Sequence, residues 1–300
     1  MDKFESLKAF TAVVEAGGFA AAARKLQLSR SQVNKFVINL ENHLGVQLFY
    51  RTTRQVTPTD NGRAFYDRCI DILSSLEEAE LAVSQQSQQP RGILKINAPM
   101  SFGISFLGAK VAEFMTRYPE IKIQLTLEDR FIDPIAEGYD LTIRIGSQPQ
   151  SPNLTVNHLK TLPRLICAAP SYLEAKGYPQ SADDLKHHDC LYYGYLAANY
   201  QWSLIRNNIE RKVNINPILC SNNGEVLRDA AIAGLGIVML PNFILQPALE
   251  REELKLLLPQ DRAVDLNLCV VCPLNRHLST KVQLFTQFLQ NCIDASPEYS

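Results

Sequence analysis

Between Ser29 and Gly45 the chain places Val33, Val37, Leu40 and Leu44 at steps of four, three and four residues. That spacing is satisfied by an amphipathic helix with one apolar stripe and by little else. Ser29 is a hydroxyl residue of the type that caps a helix N-terminus, and Gly45 provides a stop. Ahead of this helix, Phe19 opens a run of alanines from 20 to 23, which makes a thin helix that a neighbour can approach closely. The apolar spacing breaks once between the two, at Leu28-Ser29, so the pattern is that of two helices about a tight turn. A further helix over residues 3–16 is marked by Leu7, Phe10 and Val14, and Gly17-Gly18 end it. Leu44 closes the expected buried stripe of the third helix.

After Gly45 the pattern changes. Val46, Leu48 and Phe49 precede the basic turn Arg51-Thr52-Thr53-Arg54, and Val56 and Pro58 come after it, reading as two short strands around a turn. Charge sharpens the picture. From 19 to 57 the basic residues are Arg24, Lys25, Arg30, Lys35, Arg51 and Arg54 against the single acid Glu41, a balance of 6 minus 1, or +5, within a chain of net charge -1. The remainder therefore carries -6. A polar face near the start of the third helix, with Ser29, Arg30, Ser31, Gln32, Asn34 and Lys35, is on its own a solvated surface. Beside the basic turn it becomes a candidate for DNA contact, because these side chains hydrogen-bond base edges and phosphates and a helix N-terminus favours anions. Arg51, Thr52, Thr53 and Arg54 join them as candidates from the wing.

Residues 65, 69, 72, 76, 79 and 83 are Phe, Cys, Ile, Leu, Ala and Val, spaced 4, 3, 4, 3, 4. This heptad seam predicts a helix that packs along another helix. A second copy of the chain and the N-terminal module of the same chain are both candidate partners. The polar run from Ser84 to Pro90 then ends the helix.

Beyond Gly92 strand and helix patterns alternate, with strands expected near 93–97, 121–127, 141–145, 164–168, 190–193, 213–215, 237–240 and 266–272. Helices are expected over 105–118, 132–137, 224–233 and 280–293, with another from Ser171. Such alternation predicts α/β units with mainly parallel strands, and ligands then lie beyond the carboxyl ends of those strands. Ser101 lies in one such turn, as an anion contact or an ordinary helix cap. Asn222, Asn223 and Glu225 lie in another, where Asn222 and Glu225 have capping-box spacing. Arg144 ends a strand and offers a guanidinium to a carboxylate or to a salt bridge. Tyr193, Tyr195 and Trp202 are candidate aromatic walls, Trp202 equally a core residue.

Several residues at set spacings resemble one family. The alanine run after Gly18-Phe19, Leu28-Ser29, Leu40-Glu41 with Leu44-Gly45, Leu48-Phe49-x-Arg51 and Thr59-x-x-Gly62 are similar to the winged helix-turn-helix of LysR-type transcriptional regulators. The resemblance implies an α+β multidomain protein: a winged helix-turn-helix over 1–62, a linker and dimerisation helix over 63–90, and a two-lobed α/β effector domain similar to periplasmic binding proteins. Its first lobe would take 91–161 and 267–300, its second 162–266. The resemblance further implies double-stranded DNA as partner, a homodimer or homotetramer, and a small-molecule effector, carboxylates being the first class to consider. It places that effector near Ser101, Phe102, Arg144, Gly146, Tyr193, Tyr195, Asn222 and Asn223. Gly18 and Asn34 stand where the family often has Ser, and Phe36 and Ile38 where polar residues are usual. Asn34 is then a base-reading candidate and Phe36 an extension of the buried stripe.

The seven cysteines have no disulfide-framework spacing and no apolar run nears the length of a membrane span, so a reducing cytoplasm is expected. Cys269-Val-Val-Cys272 lies within an apolar strand pattern, His187-His188-Asp189-Cys190 reads as a surface turn, and no metal or cofactor is expected. No P-loop, nucleophile elbow or zinc-protease motif occurs. A solute-binding protein for transport would account for 91–300 but not for the first 62 residues. An enzyme using the cleft would need a nucleophile and base that the sequence does not assemble.

Overall fold

The computed structural model describes the backbone of residues 2–51, 56–83, 90–146, 151–195, 199–276 and 279–296, and within these the side chains of all but 51, 67, 71, 74, 75 and 77–83. The chain forms two compact units, Met1–Gln88 and Gln89–Ser300.

In the first unit α1 (Lys3–Ala16), α2 (Phe19–Leu26) and α3 (Arg30–Leu44) are followed by the antiparallel pair β1 (Phe49–Arg51) and β2 (Val56–Pro58) and by the long α4 (Asp60–Val83). Each boundary has a local cause. The Asp2 carboxylate accepts from the amides of Phe4 and Glu5, and Gly17 ends α1 at φ 68°. Ser29 and Gln32 form a reciprocal capping box at the start of α3, and Gly45 closes it at φ 71°. Gly18 leaves α2 without a side-chain cap. The core gathers Phe10, Phe19, Val33, Val37, Leu40, Leu48, Phe49 and Cys69, with Phe36 and Phe65 packed against it.

One expectation for this unit needs correction, and the heptad helix uses one of its two candidate partners. Leu44 is 37% exposed, because by the last turn of α3 the stripe has run past the body of the unit. Phe65, Tyr66, Cys69 and Leu73 of α4 pack on the unit's own core, so the first part of the heptad seam is used within the chain. Ile72 stays 46% exposed.

The second unit holds β3 (Gly92–Ala98), a short α5 (Met100–Phe102) passing through a π-helical turn (Gly103–Leu107) into α6 (Gly108–Arg117), then β4 (Ile121–Leu127), β5 (Leu141–Gly146), β6 (Leu154–Leu162) and β7 (Arg164–Ala168). Next come α7 (Pro170–Lys176), β8 (Asp189–Tyr193), β9 (Gln201–Arg206), β10 (Ile209–Asn214), β11 (Asn216–Ser221), α8 (Gly224–Ile232), β12 (Ile237–Pro241) and α9 (Asn242–Glu250). The chain closes with β13 (Lys255–Leu256), β14 (Arg262–Ala263), β15 (Leu266–Pro273) and α10 (Thr280–Asp294).

The strands make two five-stranded sheets, β4-β3-β5-β15-β6 and β11-β8-β12-β7-β13, and a smaller one, β10-β9-β14. Both large sheets are mixed, correcting the expectation of mainly parallel strands: β15 runs antiparallel to β5 and β6, and β7 antiparallel to β12 and β13. Buried strands on both sides of a direction change are equally apolar, so composition does not reveal which way a strand runs. Phe114 of α6 and Phe285 of α10 meet edge to face, ring centroids 5.0 Å apart, within the core of the first sheet.

Other corrections are local. Helix begins at Met100, five residues before the expected start, and 132–137 is a set of turns. His188 is buried and paired with the Tyr172 hydroxyl, and Cys190 is fully buried in β8, so this segment is no surface turn. Six elements have no counterpart among the sequence patterns: β6, β9, β11, β13, β14 and α9.

Candidate functional site

At the start of α3 the polar side chains are solvent-facing: Ser29, Arg30, Ser31, Gln32 and Lys35 are exposed, Asn34 half-buried, and Val33 between them is fully buried. Helical geometry is the cause, since Val33 anchors the turn inward and its neighbours must point out. Ser29 and Gln32 also hold the helix start. The Ser29 hydroxyl accepts from the Gln32 amide at 3.2 Å, and the Gln32 side-chain oxygen accepts from the Ser29 amide at 3.0 Å.

The wing is tied to this helix by Glu41. Its Oε1 accepts from the backbone amides of Leu48 at 2.8 Å and Phe49 at 3.3 Å. Arg51 is the last residue of β1, paired with Val56, and its side chain lies outside the described residues. Thr52, Thr53 and Arg54 lie outside them entirely.

In the second unit a cavity of about 370 Å³ opens between the two large sheets. Its walls come from the carboxyl ends of parallel strands and the turns beyond them: Ser101 and Phe102 after β3, Glu128 and Asp129 after β4, Arg144 and Ile145 in β5, Tyr192 and Tyr193 in β8. Trp202 of β9, Arg164 of β7 and residues 239–241 at the end of β12 complete it with Phe243 and Ile244. The placement obeys the carboxyl-end rule for α/β sheets.

Polar contacts cross between the sheets at this site. The Ser101 hydroxyl donates to Glu225 Oε2 at 2.5 Å, and Tyr193 hydrogen-bonds the Asp129 carboxylate. Asp129 also accepts from the Met100 amide at 3.1 Å. Burial, reinforced by the nearby Glu225 charge, raises its pKa above the ordinary carboxyl value despite those hydrogen bonds. Arg144 donates to the carbonyls of Arg130 at 3.1 Å and Ile132 at 3.2 Å, and lies 5.9 Å over the Phe131 ring. Arg164 donates through Nε to the Val264 carbonyl at 2.6 Å. Desolvation lowers the pKa of both guanidinium groups from the usual arginine value.

Of the residues expected at an effector site, Ser101, Phe102, Arg144 and Tyr193 come together on the cavity wall. Gly146 instead lines a neighbouring groove with Arg130, Phe131 and Ile135, and Tyr195 is 67% exposed. Neither Asn222 nor Asn223 lines the cavity. Asn223, rather than Asn222, caps α8 by accepting from the Val226 amide at 3.0 Å, and Glu225 turns to Ser101 instead of closing a capping box. Ser101 lies inside α5 with its hydroxyl already engaged, not ahead of a helix start. Arg144 binds carbonyls of its own segment rather than bridging the sheets. Trp202 serves both expected roles, buried in a core cluster and facing the cavity.

Arg164, Asp129 and Tyr192 do not stand out in the sequence. The one available signal is Arg164 itself, a cation opening an otherwise apolar strand pattern. Asp129 sits in the charged run Glu128-Asp129-Arg130, which has the composition of an ordinary surface loop.

A helix-turn-helix with an exposed polar helix face, followed by a two-sheet unit enclosing a small-molecule cavity, defines a ligand-sensing DNA-binding regulator. Residues 4–63 match the family described as bacterial regulatory helix-turn-helix protein, lysR family, and residues 87–292 match the LysR substrate binding domain. The chain belongs to the LysR family of transcriptional regulators. It is 38% identical over 282 residues to an uncharacterized HTH-type transcriptional regulator of Haemophilus influenzae, covering 94% of this chain and 98% of that one. It is 31% identical over 287 residues to the HTH-type transcriptional activator TtdR of Escherichia coli, covering 95% and 92%. Among solved structures it resembles CrgA, a LysR-type transcriptional regulator from Neisseria meningitidis, with TM-score 0.61 and 30% identity over 96% of this chain and 97% of that one.

Proposed function

We propose that this regulator reads operator DNA through Ser31, Gln32 and Asn34 on α3, grips phosphates with Arg30, Lys35, Arg51 and Arg54 and the hydroxyls of Ser29, Thr52 and Thr53, and responds to a small molecule in the cleft. It works by binding rather than by catalysis, as a homodimer or dimer of dimers in the cytoplasm. The boundaries that go with this reading are 1–62 for DNA binding, 63–90 for the linker and dimerisation helix, and 91–161 with 267–300 and 162–266 for the two effector lobes. Among the described residues no helix is long and apolar enough to cross a membrane, in keeping with this reading. Ser101, Phe102, Arg144 and Tyr193 form the effector site, and an organic acid is the class to try first.

The observation that carries the reading is the row of exposed donors at the start of α3, held in register by the Ser29–Gln32 capping box. The effector acts by preferring one of two arrangements of the chain, since a ligand with equal affinity for both shifts nothing. Anisotropy of labelled DNA from the upstream region of the gene tests the DNA side. Affinity is expected to fall by about 0.9 log units per log unit of salt for each phosphate neutralised. Asn34→Ala is expected to change the preferred sequence. A salt-independent affinity, or identical site preferences for the two proteins, would sink the proposal.

A further inference from the structure

Ile38 is an apolar side chain on the polar face of α3, and it is 37% exposed. Ser31, Asn34, Lys35 and Ile38 stand at i, i+3, i+4 and i+7, so the isoleucine continues the row of candidate DNA contacts. Val33, Val37 and Leu40 turn another side of the helix into the core and Phe36 packs against it, whereas Ile38 is in neither set. An exposed helix position gains little from isoleucine. A β-branched residue there has a lower helix propensity than alanine, lysine or glutamate, and it leaves apolar surface in water. What it does supply is a stiff apolar group, since its χ1 takes one strongly preferred rotamer in a helix.

The neighbours of Ile38 say what covers it. A protein partner needs a contiguous apolar patch. The other exposed large apolar side chain of α3, Leu44, lies six residues on and so on a different side of the helix. Around Ile38 stand Arg30 and Lys35, both basic and exposed, with the polar Ser31 and Asn34. That surround suits a polyanion. Among the base edges that DNA presents in its major groove, the apolar group is the C5-methyl of thymine.

We propose that Ile38 is a specificity-determining residue that selects a thymine by packing on its C5-methyl group in the major groove. This rests on reading α3 as the DNA-recognition helix, and it adds to that reading a residue and the base it selects. Ser31, Asn34 and Lys35 offer hydrogen bonds, and Ile38 offers a contact that only a methyl-bearing base returns. Asn34 lies about one turn earlier, roughly 6 Å along the axis. The thymine therefore stands about two base steps, at roughly 3.4 Å each, from the base facing Asn34.

The test starts from the duplex that the full chain selects out of a library of randomised DNA. Each thymine of that site is then replaced singly by uracil, which removes the methyl and leaves the hydrogen-bonding edge unchanged. At one thymine of the site, uracil is expected to weaken wild-type binding by about fourfold, the worth of one buried methyl group. Ile38→Ala is expected to weaken the thymine duplex by a similar factor, to bind its uracil form equally well, and to keep any discrimination at other positions. Ile38→Val, still β-branched and apolar, is expected to retain the preference for thymine. The inference is overturned if uracil is tolerated at every thymine, or if Ile38→Ala still tells thymine from uracil wherever the wild type does. Circular dichroism and thermal unfolding check the fold of the variant. Should Ile38→Ala fold poorly, Ile38→Gln, a good helix former, makes the same comparison. Selection of a defined site that shows no such effect defeats this inference alone, whereas failure of the wild-type chain to select any sequence defeats the reading of α3 as well.

Discussion

The hydroxyl of Ser101 donates to the Glu225 carboxylate at 2.5 Å, joining α5 on one sheet to the first turn of α8 on the other. Gly224 beside it is buried, and a Cβ there would lie 2.6 Å from Ile244 Cδ1. The two sheets thus touch through a charge-assisted bond made by Ser101, a residue of the cavity wall. Replacing Ser101 by Ala removes that bond and leaves the carboxylate to find water. The expected cost is about 1.5–3 kcal/mol in unfolding of the second unit, read by denaturant titration. A change below about 0.5 kcal/mol would show that the contact contributes nothing net.

Glu41 links α3 to the segment that opens β1. Its carboxylate satisfies the amides of the buried residues Leu48 and Phe49. Glu41→Ala is expected to destabilise the first unit by about 1–3 kcal/mol, because buried donors are left without an acceptor. Glu41→Gln keeps an amide oxygen in place and is expected to recover most of that loss. Equal losses in the two variants, compared by thermal unfolding, would mean the bonds are not the cause.

Gly62 has no room for a side chain. A Cβ there would stand 2.1 Å from the Leu48 carbonyl oxygen, while Thr59 Oγ1 accepts from the Gly62 amide at 2.9 Å and donates to the Gln47 carbonyl at 2.9 Å. Gly62→Ala must push the start of α4 away from the strand that leads into the wing. A loss of about 1–3 kcal/mol is expected from overpacking, with weaker DNA binding of the correctly folded fraction. Wild-type stability and DNA affinity would show that the approach relaxes freely.

Asp129 makes the pH dependence specific. Burial raises its folded-state pKa above the ordinary 3.8, so within that interval the folded chain holds a proton that the unfolded chain has lost. Stability from this group is therefore greatest below 3.8 and falls as pH rises through the interval up to the folded value. The wild-type unfolding free energy minus that of Asp129→Asn is expected to decline with rising pH across this acid range. A difference that is flat, or that rises with pH, would contradict the burial argument.

The first unit was legible because its signals are local. Helix period, the Ser29 cap, the Gly45 stop and the clustering of basic charge all lie within a few turns of the residues they organise. The motif residues Glu41, Leu48, Phe49, Thr59 and Gly62 were visible as a pattern, but their reason is tertiary, a single set of backbone contacts between α3, the wing and α4.

The second unit divided differently. Its strand and helix alternation could be read, yet pairing direction could not, since buried strands of either direction carry the same apolar residues. What the sequence determined by itself was the helix-turn-helix and wing, the polyanion-facing charge and an α/β ligand-binding class. Only the tertiary structure decided the site. It set Ser101 against Glu225, Tyr193 against Asp129, and Arg144 and Arg164 on one cavity wall. Residues so far apart along the chain meet only when two sheets dock, and side-chain periodicity specifies which face is buried, not which distant strand will cover it.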